Sequence, residues 1–125
     1  MGLDRSAADF DSGSDAALLE HLLGSLLDDF SFWFARGEAL LDLCPEQVMA
    51  ADARARLRSE LDQARRELQA AVALRGASPV PMALSMETMA PWHQLMLQIW
   101  SLSAQLRRHG VVLPPADRPP PPRLL

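Results

Sequence analysis

The chain has 125 residues, 49% of them apolar, which suits one folded domain and excludes wholesale disorder. Its formal net charge is −4, a balance that disfavours nucleic acid as a partner, and the single cysteine, Cys44, excludes an intrachain disulfide and fits a reducing cytoplasm. The start, Met1 to Ser6, lacks the apolar stretch of a signal peptide, and no run approaches the ~20 apolar residues of a membrane span, so a cytoplasmic location is expected.

The arm, residues 1–14, is rich in Asp, Ser, Gly and Ala without apolar periodicity and reads as flexible. Ser14 or Asp15 is the candidate cap of a first helix over about 15–42. In it Leu18, Leu19, Leu22, Leu23, Leu26, Leu27, Phe30, Trp33, Phe34, Leu40 and Leu41 recur at helical spacing. At 100° per residue they fill about half the circumference, with Phe32 outside, near the polar edge.

Cys44-Pro45-Glu46 breaks the pattern. Proline suits the first helical position, so a second helix is expected over about 45–75, stopping at Gly76. Its narrow apolar stripe is Ala50, Ala53, Leu57, Leu61, Ala64, Leu68, Ala71 and Val72. Residues 76–81 carry Pro79 and Pro81 and cannot be helix. Pro91 is expected to open a third helix over about 91–108, with core face Trp92, Leu95, Met96, Ile99, Leu102 and Leu106, and Gly110 after its basic last turn. Residues 113–125 form a tail that holds six of the ten prolines and should be extended or disordered. The fold class is therefore all-α: a three-helix bundle over residues 15–112, two long antiparallel helices and a third returning across them.

Charge is uneven along the chain. Residues 1–46 carry −8 and residues 47–125 carry +4, with arginine the sole source of positive side chains. This asymmetry serves either an electrostatic partner or an acidic first helix lying against a basic second one. Arg54, Arg58 and Arg65 are the residues an anion-binding face of the second helix would use. The simpler reading is a solvated face, since Arg56 and Glu60, Arg58 and Asp62, and Asp62 and Arg66 stand at i, i+4. That helix also lacks the aromatic residues on which single-stranded nucleic acid stacks.

Chemistry finds little support. His21, His93 and His109 lie on different segments, and no pair has the i, i+3 or i, i+4 spacing of a helical metal site. Cys44 has no identified base and reads as a small buried turn residue. The six glycines are scattered, so no phosphate-binding loop forms. No cofactor, no metal and no catalytic residue is assigned.

The stretch from Met82 to Trp100 is more informative. Met82, Met86, Met89 and Met96 accompany Trp92 and Trp100, a composition of adaptable binding surfaces as well as of ordinary cores. The third helix carries a second apolar line, His93, Leu97, Trp100 and Ala104. Leu97 lies nearly opposite the core face, and Trp100 to its side. Three helices cannot bury both sides, so this line meets a partner or a second copy.

Asp29-Phe30, the run Trp33 to Glu38, the run Pro81 to Met86 and the run Ala90 to His93 resemble a small helical family of unknown function associated with cyanobacteria. The resemblance covers about residues 15–112. It implies a cyanobacterial cytoplasmic protein at the edge of photosynthetic or carbon metabolism, and carries over no catalytic residue. The expected function is a non-enzymatic protein–protein interaction module, an adaptor or regulatory subunit, binding through Phe32, His93, Leu97 and Trp100. The alternative is arginine-mediated binding of nucleic acid or a phosphorylated metabolite.

Overall fold

A computed structural model describes the backbone of residues 2–77 and 86–115 and the side chains of residues 15–77 and 87–115. The proline-rich tail beyond residue 115 and the arm's side chains lie outside the described residues. Three helices follow one another: α1 (Gly2–Asp42), α2 (Ala51–Ala77) and α3 (Met86–Arg108). Among the described residues there is no strand, and α1 packs on both α2 and α3. No helix is long and apolar enough to cross a membrane among the described residues.

The apolar periodicity explains the core. Leu27, Phe30, Trp33, Phe34, Leu40 and Leu41 of α1 are buried against Leu57, Leu61, Ala64, Leu68 and Ala71 of α2. The expected face of α3, from Trp92 to Leu106, is buried in full. Phe30 stacks on Phe34 and meets the Trp92 ring edge-on at 5.7 Å. Trp92 is 1% exposed, and its indole N–H donates to a Glu67 carboxylate oxygen at 3.2 Å, so its only polar atom is not left bare.

Contacts fix the helix directions. Phe30 meets Trp92 and Gly37 faces Ile99, seven residues further along both helices, so α1 and α3 run parallel. Arg75 reaches Glu20 while Arg58 reaches Asp42, so α2 runs antiparallel to α1.

Boundaries depart from the sequence expectation in four places. Helix α1 is continuous from Gly2, so it runs through the expected cap at Ser14 or Asp15 and through the arm. Alanines at 7, 8, 16 and 17 are strong helix formers. Pro45 does not open the long second helix. It starts a turn in which Val48 and Met49 donate to its carbonyl, and α2 begins six residues later at Ala51. Gly76 does not end α2, which closes at Ala77. Pro91 sits inside α3 instead of opening it. As the sixth residue it forfeits one hydrogen bond, to the Glu87 carbonyl, near an end where few bonds have yet formed.

The C-terminus of α3 closes as its sequence indicates. Gly110 adopts φ 76°, the Gly110 N–H donates to the Arg107 carbonyl, and the Val111 N–H donates to that of Leu106, both at 3.0 Å. This is a Schellman cap, in which only glycine enters the left-handed region without strain.

Candidate functional site

The apolar sector of α1 is wider and longer than the core it serves. Leu18, Leu19 and Leu22 fall in that sector, yet they are 55%, 66% and 53% exposed. The expectation that they are core residues is therefore corrected. In register with α1, the first residue of α3 stands about level with Gly24, so α3 does not run beside the leucines before it. Val72, expected on the buried stripe of α2, is also exposed, at 46%.

Of the candidate binding residues, Phe32 lies on α1 and His93, Leu97 and Trp100 lie on α3. Trp100 is half-buried, with its ring edge-on to Trp33 at a centroid separation of 5.8 Å. Phe32 is half-buried and meets Trp33 from another side at 5.1 Å. Trp33 thus joins Phe32 of α1 to Trp100 of α3. Leu97 is 42% exposed, and His93 and Ala104 are half-buried one ridge away from the core. The indole N–H groups of Trp33 and Trp100 are both buried without a hydrogen-bond partner.

The α1–α2 side is polar. Arg54 donates to the Cys44 carbonyl at 2.7 Å, closing the turn onto α2. Arg58 pairs with Asp42 at 2.9 Å, and Arg65 pairs with Glu38. Arg75 uses one amino group for both the carboxylate and the backbone carbonyl of Glu20, at 2.8 and 3.0 Å, in the space left by Gly24. The three arginines of the anion-binding alternative therefore each hold an internal acceptor, and Arg58 turns to α1 rather than along its own helix to Asp62. An open groove of about 560 Å³ between α1 and α2 is lined by Arg54 and Arg58 together with Asp42 and Asp62, so its charges offset.

Cys44 is buried, and burial pushes its thiol pKa up against the lowering influence of Arg54. Its thiol donates a weak hydrogen bond to the Pro45 carbonyl, at 3.7 Å. A protonated, enclosed thiol is a poor nucleophile and a poor metal ligand. Among the described residues no three His, Cys, Asp or Glu side chains converge as a metal site would require.

Sequence reasoning passed over Leu22 and Leu43 as surface residues. Leu43, in the turn that follows α1, is 41% exposed. The signal was available as a spacing on the outer side of the helix, but it was masked by a leucine run dense enough to satisfy two faces at once.

This architecture defines a small all-helical bundle with a polar, internally paired groove between α1 and α2. The chain belongs to DUF2605, a protein family of unknown function, whose match covers residues 13–108. No curated protein and no solved structure matches it.

Proposed function

We propose that the chain is a non-catalytic interaction module that binds a protein through the outer α1–α3 face. The observation that carries this reading is Leu97, 42% exposed on the helical ridge that it shares with His93 and Trp100. Apolar groups on one side of a small bundle are commonly kept for contact with another macromolecule. On the polar side Arg54, Arg58 and Arg65 hold internal acceptors and Cys44 is enclosed. Together with the resemblance noted above, this reading makes the chain a cyanobacterial cytoplasmic adaptor or regulatory subunit.

Trp100 and Phe32 are poor probes, because both brace Trp33, a core residue 5% exposed. Leu97→Asp is the clean test. A charge in a desolvated interface costs several kcal/mol, whereas on a solvated face it costs almost nothing. The substitution should leave the thermal melt within a few degrees and remove binding to a partner retained by the wild-type chain. If it folds and retains every contact of the wild type, this reading fails. A salt titration separates the arginine alternative, whose binding to nucleic acid or phosphate would weaken steeply with ionic strength.

A further inference from the structure

Helix α1 outruns both of its neighbours at its N-terminal end. Met86, the first residue of α3, stands about level with Gly24. Helix α2 ends two residues past Arg75, whose amino nitrogen lies 2.9 Å from the place of a Gly24 Cβ. Among the described residues no helix therefore runs beside α1 before about residue 22, and the overhang that begins at Gly2 is about 20 residues, or ~30 Å. A helix of that length is marginal in water by itself and draws most of its stability from packing on another element. Leu18, Leu19 and Leu22 are exposed because they lie in this overhang.

The overhang continues the face that α3 covers further along. Leu19, Leu22, Leu26, Phe30, Trp33 and Gly37 follow one another at spacings of three and four residues, and Leu19 stands about five whole turns before Gly37. Phe30, Trp33 and Gly37 meet Trp92, Trp100 and Ile99 of α3. Leu26 is half-buried, and Leu22 and Leu19, one and two turns earlier, are bare. The missing neighbour of Leu19 and Leu22 therefore has the place and shape of a helix. The same line runs back through Asp15, Asp11, Ala8 and Asp4, so the face turns from leucine to acid toward the tip of α1. Up to Leu22 the chain carries Asp4, Asp9, Asp11, Asp15 and Glu20 against Arg5 alone. Arg75 holds Glu20, and α2, which supplies the arginines that answer the acids of α1, ends before it draws level with Asp15, which is exposed.

We infer that the overhanging half of α1 is a second docking surface, and that it takes a basic amphipathic helix of a partner protein. That helix lies on the face of α1 where α3 leaves off. Its apolar residues pack on Leu19 and Leu22, and its Lys or Arg residues, one or two turns further on, meet Asp15 and the acids before it. Packing of one amphipathic helix on another is a common mode of recognition, and complementary charge sets its register and its partner. The sign of the charge selects the class of partner. An acidic helix is repelled by anionic lipid and by nucleic acid, both of which recruit arginine and lysine. This surface is separate from that of Leu97, which lies on α3 about level with residue 35 of α1.

Calorimetric titration of the full chain tests it with two synthetic helices of about 20 residues, both with leucine at three- and four-residue spacing, one with lysine and one with glutamate elsewhere. The Leu–Lys peptide should bind, and the Leu–Glu peptide should bind at least about tenfold more weakly. Leu19→Gln combined with Leu22→Gln keeps the charge and the helix propensity, and should weaken Leu–Lys binding about tenfold or more. Asp15→Asn should weaken it a few-fold and flatten its dependence on salt. Leu97→Asp should leave it unchanged, so this surface and that of Leu97 fail separately. A Leu–Lys peptide that does not bind overturns the inference. So does one whose binding ignores the leucine pair, since general charge attraction would then suffice, and so does one released by Leu97→Asp. Equal binding of the two peptides removes the basic partner. A thermal melt of the leucine variant several degrees below that of the wild type overturns it as well, because Leu19 and Leu22 would then be covered within the chain. Leucine-dependent self-association, or leucine-dependent binding to phosphatidylcholine vesicles, would give the face to another copy or to a bilayer instead.

Discussion

Single residues are constrained in very different ways. Trp33 is 5% exposed and touches both Phe32 and Trp100, so Trp33→Ala should cost ~3–5 kcal/mol in denaturant melts. Its position in the wide apolar sector of α1 made its burial legible from spacing alone. Gly37 was not legible, because its role depends on which helix lies opposite. A Cβ there would stand 2.8 Å from two carbons of Ile99, itself fully buried, and 3.2 Å from Leu61. Gly37→Ala should therefore lose ~1–3 kcal/mol, despite alanine's better helix propensity. Gly76 is the control: nothing lies within 4 Å of its Cβ position, and Gly76→Ala should raise stability by ~0.5–1 kcal/mol. Equal signs in the two melts would refute the close approach of α1 and α3. Cys44 adds a pH dependence. Its thiol pKa is raised above 9.0 by burial, so the folded state holds its proton longer than the unfolded chain. Below that ordinary value both states are protonated and nothing is lost. As pH climbs past 9.0 the unfolded chain ionises first, and stability falls. The alkaline loss should shrink in Cys44→Ala, measured by urea melts across that range.

At the scale of elements, the number and type of helices were legible and their ends were not. The two prolines show why. A proline is compatible with the first turn of a helix, but it does not decide whether a helix or an isolated turn follows. After Pro45 the chain makes only the turn closed by Val48 and Met49, while Arg54 on α2 ties back to the Cys44 carbonyl. That tie, between residues ten apart, is a tertiary contact invisible to local pattern. At Pro91 the first turn forms ahead of the ring, because burial of Trp92 next to it anchors the start of α3. Gly110 is the opposite case, where local chemistry suffices: the basic last turn, the glycine and the following Val111 spell out the cap, and the structure closes it with two hydrogen bonds. Gly110→Ala should cost about 1 kcal/mol through backbone strain alone, since no atom lies within 4 Å of the added Cβ. Gly110→Asn, which tolerates the left-handed region better, should lose less. A thermal melt showing no difference between the two would mean that the cap frays without consequence.

For the whole molecule, the decisive property is how the acidic and arginine-rich halves are joined. The sequence offered two readings of that asymmetry, a charged partner or an internal match. The choice depends on interhelical register, since the paired residues are 16, 27 and 55 positions apart. In the fold Arg58–Asp42, Arg65–Glu38 and Arg75–Glu20 run along one side, so much of the asymmetry is answered within the bundle. The pairs differ in burial. The Arg58 and Asp42 side chains are 41% and 69% exposed, and those of Arg65 and Glu38 are 37% and 26% exposed. Water screens the first more, so a double-mutant cycle to alanine should give a coupling near zero for Arg58–Asp42 and about 0.5–1 kcal/mol for Arg65–Glu38. The same pairing bears on the anion alternative. A phosphate ligand at Arg54, Arg58 and Arg65 would have to displace a carbonyl and two carboxylates already bound. Phosphate at ~10 mM should therefore shift the thermal midpoint no more than chloride at matched ionic strength, because only a ligand preferring the folded state adds stability. A specific upward shift that disappears in Arg65→Ala would show that the arginine row is open to ligands, and would make it the functional face in place of α1 and α3.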